Sequence, residues 1–196
     1  MSEMLAPRTP LVCLASLVCA CMPGLMLGPV LLLASGCSDP VSDQLVQSLG
    51  PEDPNVPRGP NHRPGQPCLA CHGGSGPAVL TLTIGGTVYA QQDKPLPAVA
   101  AQVQIVDQSG HTANLTTNPA GNFFTTAATF QPVYPFRVAQ VAGADGTKVN
   151  MFSVSNREGS CAMCHFSPAS PISPGPVFVL STTAAALRAQ QQGGMP

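Results

Sequence analysis

The chain has 196 residues, with Lys plus Arg at 8 and Asp plus Glu at 9, so its formal net charge is −1. No basic field exists to attract a phosphate backbone, which argues against nucleic acid as a partner. With 22 Pro and 19 Gly and no Trp, the composition disfavours a helical bundle and favours short strands, turns and linkers.

The chain opens on an address rather than a fold. After Met1 to Pro10, which carries Glu3 and Arg8, Leu11 to Ala34 contains no charged residue. Such a run enters a membrane. It closes on Leu33-Ala34-Ser35-Gly36-Cys37, which resembles the lipobox of bacterial lipoproteins, where small residues precede a Cys that is lipidated and becomes the mature N-terminus. An uncleaved transmembrane helix is the alternative; Pro23, Gly24, Gly28 and Pro29 inside the run weigh against it. The resemblance implies lipidation at Cys37 and an extracytoplasmic chain held at a bacterial membrane, the outer membrane or cell surface rather than the inner one. Disulfides and covalent haem attachment are chemically permitted there.

Cysteine usage fits that division. Cys13, Cys19 and Cys21 fall in the leader, leaving Cys37 and two pairs, Cys68 with Cys71 and Cys161 with Cys164, each spaced Cys-x-x-Cys. From Ser38 to Pro67 the chain is rich in Pro, Gly, Asp and Asn and reads as a stiff, extended tether. Ser42 or Asp43 is expected to cap a helix of about two turns that ends before Gly50-Pro51.

Between Pro77 and Val154 the periodicity becomes two. Leu80, Leu82 and Ile84 alternate with threonines, Val103 and Ile105 with glutamines, and Tyr134, Phe136 and Val138 with Pro135 and Arg137. Turns are expected at Asp93-Lys94-Pro95, Ser109-Gly110, Asn118-Pro119-Ala120-Gly121 and Gly143-Ala144-Asp145-Gly146. The fold expected is mainly β, a Greek-key sandwich of six or seven strands with irregular motif segments at its ends. Gly86-Thr87-Val88, Pro95-Leu96-Pro97-Ala98-Val99, Val103-Gln104-Ile105, Thr116 to Phe123 and Tyr134 to Val138 resemble the carboxypeptidase regulatory-like sandwich. That resemblance implies a scaffold or adhesion module rather than a catalyst.

The chemistry-bearing motifs flank this sandwich. Cys68-Leu69-Ala70-Cys71-His72 and Cys161-Ala162-Met163-Cys164-His165 both read Cys-x-x-Cys-His, which resembles the attachment motif of c-type cytochromes. Two thiols three positions apart reach both vinyl groups of one porphyrin, and the following His turns its imidazole to the iron. Because His is only 4 of 196 residues, its recurrence directly after both pairs is not casual. The resemblance implies two covalently attached haem c groups, with Cys68, Cys71, Cys161 and Cys164 as thioether positions and His72 and His165 as proximal iron ligands. His62, His111 and Met151 are candidates for the distal positions; each has an ordinary alternative as a solvated linker residue, a turn residue or a core side chain.

Other readings of the cysteines stay open: one zinc ion held by the four thiolates, with His72 or His165 able to replace one, or disulfides running between the motifs. A thioredoxin-like pair lacks the βαβ context. Against haem stand the Gly-rich and Pro-rich stretches after His72 and His165, which do not continue as helices, and the few aromatic residues. If the first and last strands pair antiparallel, the two motifs share one end of the sheet. Beyond them, Pro176 to Leu180 reads as an edge strand and Ala184 to Gln192 as a short helix or frayed tail.

The organisation expected is a signal segment over 1–36, a tether over 37–67, motif segments at 68–76 and 155–172 around a sandwich at 77–154, and a tail from 173 to 196. The function expected is electron transfer at the cell envelope with redox proteins as partners, a carrier rather than a catalyst. The alternative is a non-redox surface or adhesion module whose cysteines hold zinc or disulfides.

Overall fold

A computed structural model describes residues 39–92 and 96–180. The leader, Cys37, the Asp93-Lys94-Pro95 turn and the tail from Ala184 to Gln192 lie outside the described residues. Among the described residues no helix is long and apolar enough to cross a membrane.

The described residues form a mainly β sandwich. Its strands are β1 (Ile84–Gln91), β2 (Gln102–Val106), β3 (Thr112–Thr116), β4 (Asn122–Thr125), β5 (Val138–Ala142), β6 (Lys148–Asn150) and β7 (Val177–Leu180). One sheet has the order β4-β1-β7 and the other β3-β2-β5-β6. β1 runs antiparallel to β4 and parallel to β7, and the pairs within the second sheet are all antiparallel.

Alternation places the core. In β2, Val103 and Ile105 turn inward while Gln102 and Gln104 face solvent. They meet Ile84 and Val88 of β1, Phe123 of β4, Val141 of β5 and Val179 of β7, with Phe130 and Phe136 supplied by a connection. Burying each such side chain contributes about 1.5–3 kcal/mol. The expected turns after β2, before β4 and after β5 close with Gly110 N–H to Asp107 O, Gly121 N–H to Asn118 O and Gly146 N–H to Gly143 O.

Two alternating stretches do not join the ladders. Leu80 is exposed and β1 starts only at Ile84, because the preceding chain is bonded to the first Cys-x-x-Cys-His segment instead. Tyr134 and Phe136 precede β5, which begins at Val138. Pro135 has no N–H to give a ladder, and the Phe136 N–H bonds Ser155 O.

The Pro-rich stretch begins with helix α1 (Pro40–Ser48). Its N-cap is Asp39, not Ser42 or Asp43: the Asp39 side chain accepts from the Val41 and Ser42 N–H groups, and Pro40 occupies the first helical position. Further on, residues 60–66 lie against the sandwich as a strap. Asn122 Nδ2 donates to Pro60 O (3.2 Å) and His62 O (3.0 Å), and Asn118 Nδ2 donates to Pro60 O (2.6 Å). Gly65 N–H donates to Thr87 Oγ1 (2.7 Å), which donates in turn to Asn122 Oδ1 (2.7 Å). Arg63 anchors the strap's other side on the Leu49 and Gly50 carbonyls.

Asn122 is buried and joins strap to sheet through both amide atoms. Asn122→Ala leaves the Thr87 hydroxyl without its acceptor and His62 O without its donor, while Pro60 O keeps Asn118 Nδ2, and is expected to cost about 1–3 kcal/mol in chemical denaturation. Hydrogen exchange is expected to show the larger increase in the strap.

Candidate functional site

The first motif is a single helical turn, α2 (Cys68–His72). Positions i and i+3 share a helix face, so Cys68 and Cys71 are presented together, with His72 next in the turn. The chain then doubles back: Ala78 N–H bonds Cys71 O (3.1 Å) and Leu82 N–H bonds His72 O (2.8 Å). Gly76 makes this possible, because a Cβ there would stand 2.3 Å from Cys71 O and 2.4 Å from Ala70 O. The doubled chain brings Leu80 O to 2.7 Å from His72 Nδ1. A carbonyl only accepts, so Nδ1 carries the ring proton and Nε2 keeps its lone pair for a metal.

The second motif repeats this logic with different parts. Cys161–Met163 is a 3-10 turn, and His165 N–H bonds Cys161 O (2.8 Å). His165 Nδ1 lies 3.0 Å from Gly175 O, so its Nε2 is likewise reserved as an acceptor. Ser173 holds that carbonyl in place. Its buried Oγ donates to Phe166 O (2.7 Å) and accepts from the N–H groups of Phe166 (3.0 Å) and Gly175 (3.1 Å).

Both motifs rest on β1, at Gly85 and Gly86. A Cβ on Gly85 would lie 2.8 Å from Cys68 Cβ and 3.0 Å from its Sγ. One on Gly86 would lie 2.9 Å from Cys161 Cβ and from the Phe123 ring. Successive strand positions face opposite sides of a sheet, so Cys68 approaches from the outer face and Cys161 from the core face. The motifs therefore meet without antiparallel pairing of the first and last strands. Instead Gly85 bridges Ser160 in parallel, with Gly85 N–H bonded to Gly159 O (3.0 Å). From Val88 onward β7 takes over the same edge, and the second motif occupies the chain between.

Two hollows adjoin the second motif. The larger, about 440 Å³, lies between the sheets and is walled by Val103, Phe136, Met151 and Ser160 with Cys164 and His165 at its margin. Cys161 also lines it. Its size is that of a cleft which takes a small organic ligand or cofactor. Ser160 Oγ is buried and has no hydrogen-bond partner, a penalty of about 1–3 kcal/mol that an occupant with a polar edge would relieve. A smaller hollow of about 270 Å³ separates Pro64 to Gln66 from Cys161 and His165.

The four described cysteines are free thiols. Burial pushes the Cys68 thiol from 9.0 up to about 11, opposed by a backbone hydrogen bond and aided by Cys71. Burial, then the charges of Cys68 and Glu158, push Cys161 up to about 12. A redox-active Cys-x-x-Cys pair needs a lowered thiol pKa; these two are raised. Among the described residues no group of three or more His, Cys, Asp or Glu side chains is arranged to hold a metal ion.

The distal candidates separate clearly. The His62 and His72 rings have centroids 5.8 Å apart, tilted by 46°, and His62 Nδ1 is bonded to Gly59 O. Met151 and His165 line the same cavity. His111 lies on the turn between β2 and β3, 70% exposed, with its Nδ1 3.3 Å from the buried Asp107 carboxylate. It does not line the cavity beside His165. Sequence reasoning missed Gly85, Gly86 and Ser173. Two adjacent glycines inside an alternating run are a known mark of close backbone approach; nothing local marks Ser173.

No family model matches the chain, and neither does any curated protein or solved structure.

Gly86→Ala drives a methyl into Cys161 Cβ and the Phe123 ring, and is expected to cost about 1–3 kcal/mol in thermal or chemical unfolding. For the thiols, in the chain without cofactor, alkylation at about pH 8 should be slower at Cys68 and Cys161 than at the exposed Cys164, since only thiolate reacts. Unfolded thiols ionise first, near 9, and those two only near 11 and 12. Between these values the unfolded state binds fewer protons, so stability is expected to fall as pH rises from about 9 towards 11. Denaturant midpoints measured across that range check the sign.

Proposed function

We propose that the chain is a lipid-anchored, extracytoplasmic di-haem c-type protein that carries electrons at the cell envelope. Cys68 and Cys71 would hold one haem and Cys161 and Cys164 the other, with His72 and His165 as proximal ligands. The observation that carries this reading is the shared state of the two imidazoles. Each gives its Nδ1 proton to a carbonyl further along the chain, Leu80 O or Gly175 O, and each keeps Nε2 for a metal. Four-thiolate zinc or disulfides would leave that repetition without purpose, and zinc with His72 or His165 in place of one thiolate would use only one of the two imidazoles.

Haem supplies the one-electron chemistry at its iron. The protein's part is to present a thiol pair on one turn, to orient each imidazole, and to adjust how wet each centre is. The raised pKa values of the part-buried Cys68 and Cys161 keep their thiols protonated, which would protect them from stray oxidation before thioether formation. The lipidated Cys37 would keep the carrier at the membrane, beside redox partner proteins.

The test is a visible spectrum and an intact mass of chain matured in a bacterium that has the c-type attachment machinery. Two haems that stay with the polypeptide through denaturation are expected, and Cys161→Ala/Cys164→Ala is expected to retain one in covalent linkage. A colourless chain with free, bridged or zinc-bound cysteines would overturn the proposal in favour of a surface or adhesion module.

A further inference from the structure

Resting on the di-haem reading, we infer that the two centres are unequal: His62 completes the first, Met151 completes the second, and electrons pass from the first to the second across Gly85 and Gly86.

At the first motif, the facing groups are both imidazoles. The His62 and His72 rings stand 5.8 Å apart, a separation that would admit one metal between them with an imidazole from each side. Each has its Nδ1 bonded to a backbone carbonyl, Gly59 O or Leu80 O, so both Nε2 atoms are free to ligate. His62 is held to the sheet by its own carbonyl, which accepts from Asn122 Nδ2 at 3.0 Å. The strap is thus a ligand arm, and its hydrogen bonds to β1 and β4 set where the His62 ring stands.

The second motif has a different opposite wall. The cavity that Cys161, Cys164 and His165 border is lined largely by aliphatic and aromatic side chains, and its soft donor is Met151. The Met151 N–H bonds Ala139 O (2.9 Å), which fixes its backbone beside β5. Ser160 Oγ, without a partner on the same wall, is available to a polar edge of the occupant.

These surroundings order the two potentials. A neutral thioether and a largely apolar shell favour the less charged ferrous iron, opposed in part by Glu158, the one carboxylate among the described residues lining the cavity, whereas two imidazoles in a half-exposed site favour ferric iron. With haem bound at both motifs, His62 and His72 would hold the lower-potential centre and Met151 and His165 the higher, so a single electron would pass from the first, oxidising it, to the second, reducing it. No bond forms or breaks and no proton moves. The path is short because Cys68 and Cys161 touch adjacent residues of one strand.

The experiment is a potentiometric titration of the matured holoprotein, followed by absorption spectroscopy. Covalent haem is counted first; fewer than two haems per chain refutes the di-haem proposal itself, and with it this assignment. With two haems present, two separate one-electron steps are expected, together with a sulfur-to-iron charge-transfer band in the oxidised state. Met151→Leu is expected to abolish that band and lower only the upper step. Met151→His, which keeps a ligand in place, is expected to do the same while the iron stays six-coordinate. His62→Leu is expected to open only the lower-potential iron to added imidazole. Coincident steps, a band that is absent or survives Met151→Leu, or a His62→Leu protein whose lower-potential iron binds no added imidazole would each overturn the assignment.

Discussion

The architecture depends on two missing side chains. At Gly85 and Gly86 the backbone of β1 is bare on both faces, and a cysteine-bearing turn closes on it from each side. Any Cβ at either place would collide with Cys68 or with Cys161 and Phe123. Close packing in the interior leaves no slack to absorb such a collision. The motifs are far apart along the chain, yet the strand between them brings them within one strand's thickness. The rest of the sandwich keeps that strand straight and central, with β4 on one edge and Ser160 followed by β7 on the other.

The second recurring device is the captured imidazole. A histidine free to spin has two equivalent-looking nitrogens; once a carbonyl has taken the proton of one, the other is committed. The fold arranges this twice with unrelated parts. Near His72 the carbonyl comes from a glycine-rich reversal that leads into β1, and near His165 from a loop braced by Ser173. In the proposed carrier these carbonyls make the imidazoles better donors to iron, which is the usual effect of an outer hydrogen bond on a ligand.

The sequence was most readable where the physics is local. Val103 and Ile105 alternate with glutamines and occupy the core as alternation requires. The turns at Gly110, Gly121 and Gly146 stand where Ser-Gly, Asn-Pro-Ala-Gly and Asp-Gly put them. Thiol pairs followed by histidine are equally visible as spacing. Alternation failed at Leu80 because the Leu80 carbonyl and the Leu82 N–H are spent on His72 rather than on a neighbouring strand. The helix cap at Asp39 was misplaced by a few residues, since Pro40 at the first turn moves the start earlier. The strap over residues 60–66 read as spacer, because what fixes it is Asn118 and Asn122, which lie far along the chain. Ser173 was invisible for a different reason: its partners Phe166 and Gly175 are near in sequence, but a lone serine in a Pro-rich loop carries no pattern that marks it as a brace.

The edge of β1 has a further consequence. Gly85 is paired with Ser160 and Val88 with Val177, both in parallel, so one strand edge is filled by two pieces of chain in succession. Everything from Cys161 to Pro176 leaves the ladder after the first piece and returns for the second. That excursion is clamped at both ends by backbone hydrogen bonds that read no side-chain identity. It is a cassette: beyond Cys161, which packs on Gly86, its contents can lengthen or shorten while the sheet beneath keeps its register.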